Sequence, residues 1–215
     1  MAWLNELGDS LGPNHKDIKV IYPSKKNVLD SLDGIFGGGC LPYRRQVHQK
    51  QVWLRDYLHQ WRSEKWARTK AMPHIKTYAQ VQDDKAAFVL LTSANLSRAA
   101  WGKLNKTKDK LNIMSYEAGV LLLPKFLKDH KAKEEFFDLR KENKLVLPYD
   151  CPLHKYNDSD RPFFMDDLEE ECGGAWLKTT HSAHSTQTAH STKTAHSSKT
   201  AIAHRKYGVV RHGGF

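Results

Sequence analysis

Two side chains near the middle of the chain, His74 and Lys76, have the types and spacing that phosphoryl chemistry requires. An imidazole titrates near neutral pH and can move protons. A lysine ammonium is a compact positive charge suited to a phosphate oxygen. In a strand, residues two apart point the same way, so His74 and Lys76 are expected to share one face. Asn95 follows the apolar run Phe88–Thr92 and carries an amide that can donate to the same oxygens. Glu117 stands further on, between Tyr116 and Ala118. A carboxylate buried in a strand is costly without a partner, so an imidazole is expected beside it. The set predicts phosphoryl transfer without a metal.

His-x-Lys also occurs at His48–Lys50 and His204–Lys206. The first sits in helical spacing, where such residues diverge. The second sits in a low-complexity tail. The adjacent pair His15–Lys16 would point to opposite faces of a strand. Only His74 and Lys76 combine a strand reading with a second apolar strand and an Asn at its end.

The elements that must position these residues read as follows. Lys19–Pro23 is a short strand closed by proline. Ser24 caps a helix to about Leu32, stopped at Gly34. Gly37–Tyr43 is a loop. Gln46–Trp61 reads as one amphipathic helix, with Val47, Val52, Trp53, Tyr57, Leu58 and Trp61 on a common side. Strands 74–79 and 86–92 form a hairpin around Gln80–Lys85. Ser97–Leu104 is helical, and Ile113–Leu123 is a strand buried on both faces near its end. Lys125–Lys144 is a charged helical excursion, and Leu145–Tyr149 returns to the core. Residues 1–17 show no clear period. Strands and helices mix throughout, which predicts an α/β (α+β) class built on a mixed sheet flanked by helices.

Composition sets the bounds. The 215 residues carry a formal charge of +10. From Lys178 onward there are six Lys or Arg and no acid, which leaves +4 for residues 1–177. The three cysteines, Cys40, Cys151 and Cys172, have no zinc spacing and suggest a reducing compartment. Neither a secretory signal nor an apolar run long enough for a membrane span is expected. From Thr179 the chain turns repetitive, with Thr186–Ser191 echoed by Thr192–Ser197. That tail is expected to be disordered, and its six histidines to have no metal role.

Met72–Tyr78, Thr92–Gly102 and Ser115–Val120, together with Ile21–Ser24, Gly38–Tyr43 and Asp160–Pro162, resemble the tyrosyl-DNA phosphodiesterase family of the phospholipase D superfamily. The resemblance covers roughly residues 18–164. It implies a nuclear DNA-repair phosphodiesterase that hydrolyses a 3′-phosphotyrosyl bond between DNA and topoisomerase I, with no cofactor or metal. The family's two similar halves each give a His, a Lys and an Asn, and this chain resembles the second half. His74 is then the general acid/base, and Lys76 and Asn95 the phosphate clamp. Glu117 orients a histidine, Ser97 contacts the DNA backbone, and Cys40 and Pro42 line the substrate site. The nucleophile-bearing half finds no counterpart upstream of residue 18. The resemblance divides the chain into an N-terminal segment (1–17), a phospholipase D-like half (18–165) and an acidic patch with a tail (166–215). The implied partners are the single-stranded 3′ end of DNA with its topoisomerase I-derived peptide, and either a second copy or a complementing N-terminal half. The competing expectation is an inactive fragment that binds single-stranded nucleic acid.

Overall fold

The computed structural model describes residues 2–11, 17–127, 135–141 and 145–173. Two compact units divide the chain: residues 1–20, 41–58 and 163–215 form one, and residues 21–40 with 59–162 form the other. The His/Ser/Thr repeat tail lies outside the described residues. Helices and sheets alternate as an α/β (α+β) class requires.

Among the described residues, the first unit holds three α-helices. α1 (Ala2–Leu11) forms where the sequence shows no clear period, and it buries Leu4. α3 (Arg45–Gln49) is followed by a 3₁₀ turn at Val52–Tyr57. α6 (Met165–Glu171) carries the acidic run of the sequence. Its charges answer a basic pair. Arg45 binds Glu170 at 2.7 Å and Asp167 at 3.5 Å, and Arg44 binds Glu169 at 2.5 Å. The Asp167 carboxylate also accepts the Phe164 N–H at 3.0 Å, which starts the helix. His48 is enclosed by Tyr43 and Phe164, with ring centroids 5.7 and 5.2 Å away, and shares a hydrogen bond with the Tyr43 hydroxyl. This histidine is a packed side chain, as the helical spacing of His48–Lys50 implies.

The second unit begins with α2 (Lys25–Leu29). Ser24 caps it, accepting the Asn27 N–H at 3.1 Å while the Asn27 side chain accepts the Ser24 N–H. Arg161 receives the Lys25 N–H on its carbonyl at 2.9 Å, so the Asp160–Pro162 run closes onto this helix start. Two-residue strands occur at Val20–Ile21 (β1) and Leu58–His59 (β2).

The principal sheet contains β3 (Lys76–Gln82), β4 (Lys85–Thr92), β7 (Gly119–Leu122) and β8 (Phe137–Asp138). β4 lies between β3 and β7, β8 pairs with the start of β4, and every one of these pairings is antiparallel. Asp83 and Asp84 connect β3 to β4, both at positive φ (49° and 58°). Aspartate tolerates that conformation, and it matches the twist of a two-residue hairpin. Ala86, Val89, Phe137 and Leu147 form the core against this sheet. Trp66 donates to the Leu147 carbonyl at 3.1 Å, and Asp150 accepts the Glu64 and Lys65 N–H groups. The Leu145–Tyr149 segment therefore returns to the core as its sequence predicts. Short elements complete the unit: α4 (Arg98–Trp101), β5 (Lys103–Leu104), β6 (Leu111–Asn112) and α5 (Pro124–Leu127).

Several expected elements differ. β3 begins at Lys76, so His74 lies before the strand rather than in it, and the helix expected over Ser97–Leu104 is α4 alone, because Leu104 pairs with Leu111 in the β5–β6 hairpin. The single helix expected over Gln46–Trp61 is instead α3, a 3₁₀ turn and β2, because the backbone of Gln60 bonds to His154 and that of His59 bridges to Lys155. The strand expected over Ile113–Leu123 pairs only from Gly119, and Val120 and Leu121 are exposed rather than doubly buried. Upstream, the N–H groups of Met114 and Ser115 both reach the Ala99 carbonyl, which draws that segment to α4. The helix expected over Lys125–Lys144 is represented by α5 alone, followed by β8; residues 128–134 and 142–144 lie outside the described residues.

Candidate active site

Antiparallel register places three strand ends together. Lys76, the first residue of β3, lies opposite Thr92, the last residue of β4. Thr92 lies opposite Gly119, the first residue of β7. Asn95 is three residues beyond Thr92, and Glu117 two residues before Gly119. One end of the sheet thus collects Lys76, Asn95 and Glu117, with His74 two residues before β3 begins. His74 and Asn95 are exposed, and Lys76 and Glu117 half-buried. Among the described residues, no side-chain hydrogen bond or ion pair occupies His74, Lys76 or Asn95. Their donors are open to a ligand.

The turn after β4 is tightly tied. Thr92 Oγ1 accepts the Ala94 N–H at 3.1 Å and donates to the Ala118 carbonyl at 2.9 Å. The Ser93 hydroxyl donates to Glu117 Oε2 at 2.5 Å and accepts the Ala118 N–H at 3.0 Å. Glu117 is therefore partnered by a hydroxyl, where the sequence suggests an imidazole. Gly119 permits the crossing: a Cβ there would stand 2.8 Å from the Leu91 carbonyl oxygen and 2.8 Å from Thr92 Cβ. Ser97 caps α4 through its hydroxyl, which accepts the Ala100 N–H at 3.2 Å. Ser97 rather than Asn95 caps this helix, and the Asn95 amide has no side-chain partner among the described residues.

Tyr78, two residues after Lys76 in β3, was given no role by residue type alone. Its hydroxyl donates to the Ala94 carbonyl at 3.0 Å and accepts the Trp101 indole N–H at 2.9 Å. The two rings meet edge-on at 4.8 Å. β3 and α4 are thereby joined at the residue before Asn95. Burial, with the Glu117 charge adding to it, pushes the Tyr78 phenol up to about 12. The available signal was strand alternation, which puts Tyr78 on the same side as Lys76.

Cys40 ends a 3₁₀ turn at Gly34–Cys40, where the sequence suggests a loop. Its thiol points to the carbonyls of Gly37 at 3.6 Å and Pro73 at 3.8 Å, and Pro73 directly precedes His74. Burial raises the thiol pKa, opposed by the Lys76 charge. Cys40 is thus placed beside the His74 segment. Pro42 is exposed and belongs to the other unit. A cleft of about 350 Å³ lies elsewhere, beside α2, lined by Lys25, Lys26, Leu29, Asp30, Ser159, Asp160 and Arg161. Lys26 and Asp30 in it already pair at 2.7 Å, so convergence of open donors marks the site better than concavity does.

This α/β fold presents an imidazole, an ammonium and an amide near one sheet end, a donor set of the kind that phosphate chemistry uses. The family model for tyrosyl-DNA phosphodiesterase matches residues 6–157, and the chain belongs to that family. Tyrosyl-DNA phosphodiesterase 1 of Drosophila melanogaster is 48% identical over 160 residues, covering 70% of this chain and 27% of that protein. A probable tyrosyl-DNA phosphodiesterase of Caenorhabditis elegans is 37% identical over 170 residues, covering 76% and 34%. The crystal structure of the yeast tyrosyl-DNA phosphodiesterase superposes with a TM-score of 0.55 at 20% identity, covering 75% of this chain and 40% of that one, a likeness of fold. The chain spans about a quarter to a third of the length of these curated relatives.

Proposed function

We propose that this chain supplies one His/Lys/Asn half-site for hydrolysis of a phosphotyrosyl bond at the 3′ end of DNA. The observation that carries the reading is the single sheet end at which Lys76, Asn95 and Glu117 meet next to His74, within the family match. Lys76 and the Asn95 amide hold the non-bridging phosphate oxygens. His74, as imidazolium, gives its proton to the tyrosyl oxygen as a nucleophile from the complementing half bonds to phosphorus and the phosphorus–oxygen bond breaks. The neutral imidazole then takes a proton from the water that attacks phosphorus and displaces that nucleophile. Glu117, held by Ser93, supports the positive charge of the site. Ser97 and Cys40 line the same region in this reading. The expected location is the nucleus.

Covalent catalysis needs a nucleophile opposite the leaving group. The complementing group comes from a second copy of this chain or from an N-terminal half. Turnover of a 3′-phosphotyrosyl oligonucleotide tests this. Activity should rise more steeply than linearly with chain concentration if a second copy completes the site, and His74→Ala should abolish it. Concentration-independent turnover by a verified monomer overturns the need for a complement. Equal turnover by His74→Ala overturns the role of His74.

A second reading rests on the side chains of Lys76 and Asn95, unpartnered among the described residues, donors that serve binding without catalysis: a chain that binds single-stranded nucleic acid without turnover. It predicts binding weakened by Lys76→Ala, with no turnover at any concentration.

A further inference from the structure

Immediately beyond α4, the hairpin β5–β6 carries Lys103, Lys106, Lys108 and Lys110, all exposed, and Arg98 adds a fifth exposed cation at the start of α4. Among the described residues none of these five groups takes part in an ion pair. The hairpin's only acid, Asp109, is consumed by its own turn. Its carboxylate accepts the Asn105 amide at 2.6 Å and the Thr107 hydroxyl, while its N–H goes to Asn105 Oδ1 at 3.1 Å. These bonds hold the Asp109 carboxyl below the usual carboxylate range. The turn therefore ties up the carboxylate in its own hydrogen bonds and leaves the exposed lysines without an acidic partner among the described residues. The contrast with the rest of the fold is plain: the acids of α6 meet Arg44 and Arg45, and the β3–β4 turn mixes Asp83 and Asp84 with Lys85.

The hairpin is also anchored. Lys103–Leu104 pairs with Leu111–Asn112, and Asn105 donates its N–H to the Lys110 carbonyl at 2.9 Å. Gly102 joins it to α4 at φ +86°, and a Cβ there would meet Leu111 and Ile113 at 2.8 Å. The Met114 and Ser115 N–H groups return to Ala99. The cations thus project from a framed support one short helix away from Asn95, not from a free tail. Four helical residues rise about 1.5 Å each and extended residues about 3.3 Å each. The hairpin tip then lies at most ~30 Å from Asn95 along the chain. At 3.4 Å per step of a strand, that reach spans roughly nine nucleotides.

We propose that the β5–β6 hairpin is a second nucleic-acid contact, gripping backbone phosphates several nucleotides away from the 3′ end held at His74, Lys76 and Asn95. The proposal rests on the phosphodiesterase reading for the placement of that end. Neutralising phosphates with lysines releases counterions, so the contact carries affinity and salt dependence without sequence preference.

The test is a fluorescence-anisotropy titration of the full chain with 3′-phosphorylated single strands of about 4 and about 16 nucleotides, spanning lengths inside and beyond the hairpin's reach. The variant is the triple substitution Lys106→Gln, Lys108→Gln and Lys110→Gln. Losing three phosphate contacts should lower the salt slope by about 2 and weaken the long strand roughly ten- to fifty-fold near physiological salt. The short strand should be unaffected. The corresponding Lys→Arg triple should bind like the original chain. Circular dichroism and thermal unfolding should not move, because all three positions are exposed. Equal loss for short and long strands overturns the remote contact. An unchanged long-strand affinity overturns it too, and Lys76→Ala then shows which reading failed. If Lys76→Ala weakens both strands, only the hairpin is wrong; if it weakens neither, the phosphate site falls as well. Competition by poly-glutamate as effective as that by DNA of equal charge, and lost in the Gln triple, would assign the hairpin to an acidic protein and overturn the nucleic-acid partner.

Discussion

Replacing Tyr78 by Phe tests whether the joint between β3 and α4 holds the Asn95 turn. The ring stays, and with it the edge-on contact to Trp101 at 4.8 Å. The hydroxyl goes, and with it two hydrogen bonds, one to the Ala94 carbonyl at 3.0 Å and one from the Trp101 indole at 2.9 Å. Ala94 is 4% exposed, so its carbonyl is poorly placed to find water instead. An orphaned group of this kind costs about 1–3 kcal/mol, and removing one buried hydroxyl returns part of that. A net loss of ~2 kcal/mol should lower Tm by roughly 4–8 °C in a chain of this size.

The pH dependence supplies an independent readout. The Tyr78 phenol moves from 10.0 to about 12 because burial disfavours its charged form. The folded state therefore holds the proton more tightly than the unfolded chain. Stability from this group is complete below pH 10 and is lost as pH rises from 10 toward 12. At about 1.4 kcal/mol per pH unit, the total is ~2–3 kcal/mol. Tyr149 behaves alike, pushed up to about 12 by burial. Wild type should lose both contributions on alkaline titration, and Tyr78→Phe only that of Tyr149. Thermal unfolding followed by tryptophan fluorescence at pH 7 and pH 11 measures both effects. An unchanged Tm at pH 7 would refute the clamp. A lowered Tm with an unchanged alkaline loss would refute the buried-phenol account. Because Asn95 follows Ala94, short-oligonucleotide affinity should also fall, by less than in Asn95→Ala.

Two further outcomes follow from the same geometry. Cys40, half-buried with a raised thiol pKa, should react with iodoacetamide more slowly at pH 7 than the exposed Cys151, because the thiolate is the nucleophile; mass spectrometry of partly alkylated chain shows the order, and prior labelling at Cys40 would contradict it. Asp167→Ala removes an acceptor 3% exposed that serves the Phe164 N–H and faces Arg45; a loss of about 1–2 kcal/mol is expected, measured by urea unfolding, and Asp166→Ala, at a half-buried position, should cost less.

Local rules carried the reading where local chemistry decides conformation. Ser24 caps α2 because a hydroxyl three residues before a free N–H suffices. The apolar runs around Gln80–Lys85 pair as a hairpin because two aspartates accept positive φ between them. That Lys76 and the turn carrying Asn95 fall at one end of the sheet was legible because a hairpin pairs the first residue of one strand with the last of the next. Elements decided by partners distant in sequence were not legible. Apolar spacing over Gln46–Trp61 fits a helix, but the backbone of Gln60 pairs with His154 and that of His59 with Lys155, interactions that no local window of the sequence contains. Weak intrinsic propensity yields to such pairing.

The same distinction explains why Tyr78 was overlooked while Glu117 was found with the wrong partner. A titratable residue in an apolar stretch announces that it needs a partner but does not say which. Glu117 meets Ser93 because β7 pairs with β4 in a register that only the folded sheet specifies. Tyr78 looks like an ordinary strand aromatic until α4 brings Trp101 to its hydroxyl. Both contacts converge on Ser93–Asn95, so three elements determine where one amide sits. Such fixation is what any ligand-binding amide needs, because an asparagine beyond the end of a strand donates usefully only if its backbone is held before the ligand arrives. The supporting contacts lie outside the His-x-Lys spacing, so they belong to the folded sheet rather than to the motif.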